Sequence, residues 1–400
     1  MRIFILLILL GMAGCSRNSD VASVAAPAAT PAAVPSSPAI PELPLGSATP
    51  AEPVASRVRQ GPVIQIALVL DTSKSMDGLL HQARTRLWNV VTEMGSARHK
   101  GQRPNLEVAL YEYGCNHPAA RGHVRQVVPF TTDLDAVSEE LFKLTSEGGL
   151  ENPPWAVEAA AEGLDWSQDP DDLKAIFIAG NEVFEQGPVS TRSGLGKAAS
   201  RGIVVNTIFC GKDGEGRQLG WDEVARAAGG AFVAIDQDRT VAVSAPQDAA
   251  LARLNEELNK TYVPFGEAGE EGRSRQLSQD DASAAQAPEA LAARAGAKAQ
   301  SYYDNSSWDL VDATQKGKVK AENLPAAAYP TALRDKSPQQ RAAYVQQQAQ
   351  HRAEVQKEIQ RLVDERKDYL EKKDAGQGES LDTALVTSLK KQGSEKGYKF

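Results

Sequence analysis

The sequence predicts an α/β protein: a doubly wound, mostly parallel sheet followed by a helical C-terminal extension. Three observations carry the prediction. Residues 63–70 are almost unbroken apolar sequence, the pattern of a strand buried on both faces. Strand-like and helix-like segments then alternate as far as Ile235, as parallel strands joined by helical crossovers do. Beyond Ser337 a long helical pattern runs to Lys373 without Gly or a second Pro.

The elements follow in order. After the first strand, Leu80, Ala83, Leu87, Val90, Val91 and Met94 recur at helical spacing, so a helix packs back on the sheet. Residues 108–113 read as a second strand and 124–130 as a third, at an edge. Residues 134–144 and 155–164 read as helices. Residues 174–179, 203–210 and 231–235 are three more strands, separated by helical stretches near 192–201 and 219–228. This domain spans 62–240. Residues 248–262 form an amphipathic helix with Leu251, Leu254, Leu258 and Tyr262 on one stripe. From 263 to 324 apolar periodicity is lost, and the stretch reads as an irregular docking segment pinned by Tyr302, Tyr303 and Trp308. Ser337-Pro338-Gln339-Gln340 is a capping box with proline at the first helical position. Val355, Ile359, Leu362, Arg366 and Tyr369 keep a 4-3-4-3 spacing, but over two heptads and with an arginine on the seam. Packing on the core, or a hairpin with a last helix at 381–391, is therefore expected over a free coiled coil.

The N-terminus reads as an address. Arg2 precedes the apolar run 3–10, which is far short of the ~20 residues a transmembrane helix needs. Met12-Ala13-Gly14-Cys15 follows, and it resembles the bacterial lipobox, in which the cysteine is acylated and becomes the new N-terminus. That implies a signal peptide at 1–14 and lipidation at Cys15, with Ser16 favouring the outer membrane. Residues 15–59 are rich in Ala and Pro and cannot bury enough surface to fold. They read as a tether with a reach on the order of 100 Å. The expected location is the cell envelope.

A net charge of −8 argues against nucleic-acid binding. Enzyme signatures are missing: the sequence has no G-x-S-x-G elbow, no P-loop and no H-E-x-x-H, and its five histidines are scattered. Cys115 and Cys210 both follow strands whose loops gather at one sheet edge, so they are candidates for one disulfide, with two buried thiols as the alternative.

Asp71-x-Ser73-x-Ser75 closes the buried first strand, at the carboxyl edge where open α/β sheets bind ligands. Gly148-Gly149, the run from Gly202 to Ile208, and Gly229-Gly230-Ala231-Phe232 follow in order and spacing. Together they resemble the von Willebrand factor A domain, a Rossmann-like fold, over about residues 62–240. The resemblance implies a metal-ion-dependent adhesion site. Ser73 and Ser75 would ligate Mg²⁺ or Mn²⁺ directly, Asp71 would act through water, and an acidic group of an envelope partner protein would complete the shell. Two departures qualify it. The family's threonine after the glycine pair is replaced by Leu150-Glu151, which makes Glu151 the candidate ligand from the second loop. The family's third-loop acid is missing at Gly180, which is followed by Asn181 and Glu182. The alternative for the triplet is that Asp71 and the serines only cap the first helix. The implied function is cation-assisted protein binding. A metal-free interaction module is the first alternative, and an accessory subunit of an envelope-assembly enzyme the second.

Overall fold

The computed structural model describes residues 59, 61–237, 244–373 and 380–400. The leader, Cys15 and the tether up to residue 58 lie outside the described residues. The described residues form one compact unit.

The first half runs β1 (Val63–Asp71), α1 (Asp77–Met94), β2 (Arg98–His99), β3 (Asn105–Tyr113), β4 (Val124–Thr131), α2 (Leu134–Lys143), α3 (Pro153–Gly163), β5 (Leu173–Gly180), α4 (Thr191–Ser200), β6 (Val204–Cys210), α5 (Asp213–Gln218), α6 (Trp221–Ala227) and β7 (Phe232–Ile235). Six strands form one sheet in the order β4-β3-β1-β5-β6-β7. Only β4 is antiparallel, and it stands at an edge. All nine residues of β1 are buried because the strand is central and both its faces are covered. Ile64, Ile66, Leu68 and Leu70 face a core shared with α1 and α2, while Ala67 and Val69 face α3, α4 and α6. This is the period-two alternation of a strand between two layers.

The second half comprises α7 (Asp248–Asn259), α8 (Gly269–Gln286), α9 (Pro288–Lys298), α10 (Leu310–Gln315), α11 (Thr331–Arg334), α12 (Pro338–Lys373), α13 (Leu381–Glu395) and β8 (Tyr398–Lys399). The expectation of an irregular segment over 263–324 is corrected, since α8 and α9 are full helices within it. The cause is compositional. α9 buries Ala290, Ala292, Ala293, Ala295 and Ala297, and α8 buries Gly272, Gln276, Gln279, Asp280 and Ser283. Small and polar contact faces leave no apolar stripe to read. Ser337 Oγ accepts from Gln340 N–H at 3.2 Å and Gln340 Oε1 from Ser337 N–H at 2.9 Å, which closes both halves of the box at the start of α12. α13 lies against α1 and β5, and Leu381, Leu385 and Leu389 join the core on that face.

Two buried ionic knots hold the extension. Arg294 of α9 donates to Asp135 of α2 at 2.6 Å and to Asp280 of α8 at 2.5 Å, with its guanidinium 4.6 Å from the Trp88 ring centre. Lys298 reaches Asp280 at 2.9 Å. Arg352 of α12 donates to Asp309 at 2.7 Å, to Asp312 at 2.5 Å and to the Thr261 carbonyl at 2.8 Å.

Candidate functional site

Strand register sets the site. Asp71 pairs with Tyr113 of β3, and Leu70 with Ala179 of β5, so Asp71, Tyr113 and Gly180 stand together at the carboxyl edge. Asp71 is fully buried, and its Oδ1 accepts from Ser73 N–H at 2.8 Å, which turns the chain sharply out of β1. Ser73 is buried and Ser75 exposed. Asn181 Nδ2 donates to Ser75 Oγ at 3.0 Å, and Gln237 Nε2 to the Ser75 carbonyl at 2.8 Å. The helix-capping alternative is not met: α1 has Met76 at its N-cap and no side-chain cap bond.

The second loop is pressed against the first. Ser73 and Gly148 form a parallel bridge, and Gly148 N–H reaches the Thr72 carbonyl at 3.2 Å. A Cβ at Gly148 would lie 1.4 Å from the Gly114 carbonyl oxygen, so only glycine permits the approach. This contact carries Glu151 to Asp71: a Cβ placed at Gly114 would meet Asp71 Oδ1 at 2.9 Å and Glu151 Cγ at 3.2 Å.

At the third loop the structure explains the missing acid. A Cβ at Gly180 would lie 2.1 Å from the Tyr113 hydroxyl, which donates to the Ala179 carbonyl at 3.0 Å. Tyr113 fills the space an acidic side chain would need. Glu182 is exposed, and its carbonyl accepts from Trp221 Nε1 at 2.7 Å. Its charge still reaches both inner carboxylates. Burial, then the neighbouring Glu151 charge, pushes Asp71 up to about 8. Burial and Glu182 push Glu151 up to about 7.

Three buried oxygens here have no hydrogen-bond partner: Asp71 Oδ2, Ser73 Oγ and Glu151 Oε2, with Asn181 Oδ1 a fourth nearby. Unpaired buried oxygens are costly. All four are hard donors, which suits Mg²⁺ or Mn²⁺ and not Zn²⁺. Among the described residues no group of three His, Cys, Asp or Glu side chains is placed to hold an ion, so a cation at this site must take its hydroxyls. The donor set therefore fits the ion that the first-loop motif implies. Beside the site a cleft of about 380 Å³ is lined by His123, Gly149, Leu150, Glu151, Asn152, Glu182, Gln186 and Gly187.

The structure thus brings Asp71, Ser73 and Glu151 together, while Ser75, on the same loop as Ser73, is exposed and bonded to Asn181. Sequence reasoning marked these four. It missed Tyr113 and Asn181: Tyr113 enters through strand register, which no local pattern reports, whereas Asn181 was adjacent to a position already singled out. The expected disulfide is corrected. Cys115 and Cys210 are buried and not joined. β1 and β5 stand between their strands, which separates them by about 14 Å, three strand spacings of ~4.8 Å.

A central buried strand ending in D-x-S-x-S, flanked in this strand order with one antiparallel edge, decides the fold. Residues 63–235 share the fold of von Willebrand factor A domains. No family model matches the chain, and no curated protein matches it. Among solved structures, an aerotolerance-related membrane protein from Bacteroides fragilis is similar at 18% identity, covering 43% of this chain and 92% of that one, with a TM-score of 0.30. A von Willebrand factor type A protein from Catenulispora acidiphila is similar at 15% identity over 44% of this chain and 39% of that one, TM-score 0.33. The pilus adhesin SpaC from Lactobacillus rhamnosus GG is similar at 14% identity over 52% and 32%, TM-score 0.34. This chain spans less than half the length of the latter two.

Proposed function

We propose that the chain is a protein-binding module of the cell envelope whose von Willebrand factor A domain engages its partner through a divalent cation. The observation that carries this reading is the convergence of Asp71 Oδ2, Ser73 Oγ and Glu151 Oε2, buried and unpartnered, at the carboxyl edge of the sheet. Ser73, Ser75 and Glu151 would hold Mg²⁺ or Mn²⁺, with Asp71 acting through water. The ion would supply a positive point for a partner carboxylate.

The chain's layout supports an outward-facing site. Arg59 binds Glu107 at 3.1 Å and the Asp165 carbonyl at 2.6 Å, near the starting ends of β3 and β5. Tyr398 donates to the Val63 carbonyl at 2.9 Å. Both contacts lie at the edge where β1 begins, and the nine residues of β1 put Asp71 about 30 Å away. No helix among the described residues is long and apolar enough to cross a membrane. The anchor proposed is a lipid at Cys15, on the Met12-Ala13-Gly14-Cys15 sequence. Intact mass should show loss of the first fourteen residues plus a lipid increment, and Cys15→Ser should release the protein from membranes. A mature chain starting elsewhere without lipid removes the anchor.

For the cation, calorimetry with magnesium and manganese should give a dissociation constant of about 0.1–1 mM. Ser73→Ala with Ser75→Ala should weaken it at least roughly tenfold while leaving the circular dichroism and melting temperature unchanged. Occupation of the third-loop position by Tyr113 favours a metal-free module instead. Heat-free titrations, together with partner binding that ignores chelator, would establish that reading.

A further inference from the structure

The cleft beside the cation site has its own chemistry. Its walls are fixed to one another. Gly187 has φ +86, and a Cβ there would lie 1.9 Å from Asn152 Oδ1, while Asn152 Nδ2 donates to the Gly122 carbonyl at 2.6 Å. His123 Nδ1 is 3.0 Å from the Cys115 carbonyl. The cleft is therefore formed before any ligand arrives.

Its lining carries two carboxylates, Glu151 and Glu182, and no lysine or arginine. If Asp71 and Glu151 together balance a divalent cation, Glu182 is left as uncompensated negative charge at the mouth. Gln186 Nε2, also on the lining, is a buried donor without an acceptor. Among the described residues three large hydrophobic side chains are well exposed, and one of them, Leu150 at 65%, lies on the lining of this cleft. A free carboxylate at the mouth of a cleft that carries an exposed leucine and a spare amide donor matches one kind of side chain. A lysine or arginine buries an apolar stem and presents a charged head.

We propose that the cleft is a subsite for a basic side chain, so that the partner segment carries a lysine or arginine beside the acid that meets the cation. The stem lies along Leu150, the head meets Glu182, and Gln186 donates to a carbonyl of the partner's backbone. The proposal rests on reading this face as protein-binding, and it gives that face a selection rule: segments of mixed charge bind, and purely acidic ones bind poorly.

The test uses the full mature chain with labelled leucine and valine methyls. Acetyl-arginine amide, acetyl-lysine amide, acetyl-norleucine amide and acetyl-aspartate amide are titrated in turn, with saturating magnesium and with chelator. The basic amides should shift the Leu150 methyls saturably in both conditions, and norleucine amide should bind about fivefold more weakly. Glu182→Gln, at an exposed position, should cost the basic amides about fivefold. Ser73→Ala with Ser75→Ala should leave their binding in place. Equal binding of norleucine and arginine amides, or no effect of Glu182→Gln, overturns the subsite. Competition between the amides and magnesium also overturns it, because the amine then occupies the cation site itself. Basic amides that bind as described to a protein that takes up no magnesium uphold the subsite and remove the cation reading alone.

Discussion

Arg294→Met is expected to destabilise the whole chain by about 3–5 kcal/mol, the cost of removing one partner from a buried ion pair. Arg294 is fully buried. It is also the one cation bonded to both Asp135 of α2 and Asp280 of α8. After the substitution Asp280 keeps Lys298, Asn255 and Asn259. Asp135 keeps the Tyr303 hydroxyl, at 2.5 Å, as its side-chain partner. A carboxylate so stranded must take a proton or drag water into the junction. Typical domains are stable by about 5–15 kcal/mol, so the loss is a large fraction of the total. Urea unfolding of the full chain, followed by circular dichroism and tryptophan fluorescence, measures it. Adding Asp135→Asn should recover part of the loss, because the orphaned charge goes with it. A change below about 1 kcal/mol would show that the extension is not held to the sheet through this knot.

The α/β half was legible because its elements announce themselves. β1 is apolar throughout since it is central, and α1 shows its spacing since one face is Leu, Val and Trp. The junction was not legible, and Arg294 shows why. Reading rules place arginine and lysine at the surface, yet Arg294 and Lys298 of α9 are buried, and the helix's other buried residues are alanines and a glycine too small to mark a face. Pairing with Asp135 depends on a residue 159 positions away. The site divides in the same way. The first-loop triplet and Glu151 stand in local motifs. The reason Gly180 lacks the family's acid lies in Tyr113 on another strand, visible only once β3 and β5 flank β1. The disulfide expectation failed for the converse reason: loops at one edge of a sheet need not be neighbours when two strands stand between them.

The metal-free protein is expected to lose stability as pH rises from about 4 to about 8, by an amount on the order of 5 kcal/mol at Asp71. Burial and the charge of Glu151 raise the folded-state affinity of Asp71 for a proton far above its ordinary value of 3.8. In the unfolded chain the same carboxyl ionises near that ordinary value. Between the two values the unfolded state binds fewer protons than the folded state, so raising the pH favours unfolding. Glu151 adds a contribution of the same sign, ending near pH 7. Asp71→Asn should flatten the profile, because an amide keeps the bond from Ser73 N–H through its own oxygen and never ionises. Magnesium or manganese should act in the opposite sense. The ion binds the ionised carboxylates, so its stabilisation should be small near pH 4 and largest at and above pH 8, where no proton has to be displaced. Thermal melts across this range, in chelator and in saturating cation, for the wild type and for Asp71→Asn, separate these effects. The difference between the two proteins is the measured quantity, since it cancels every other titrating group. If the two profiles run parallel in chelator, Asp71 does not titrate as the geometry requires. If they differ in chelator yet cation leaves the wild type unmoved, the buried carboxyl pair is real and works without a metal.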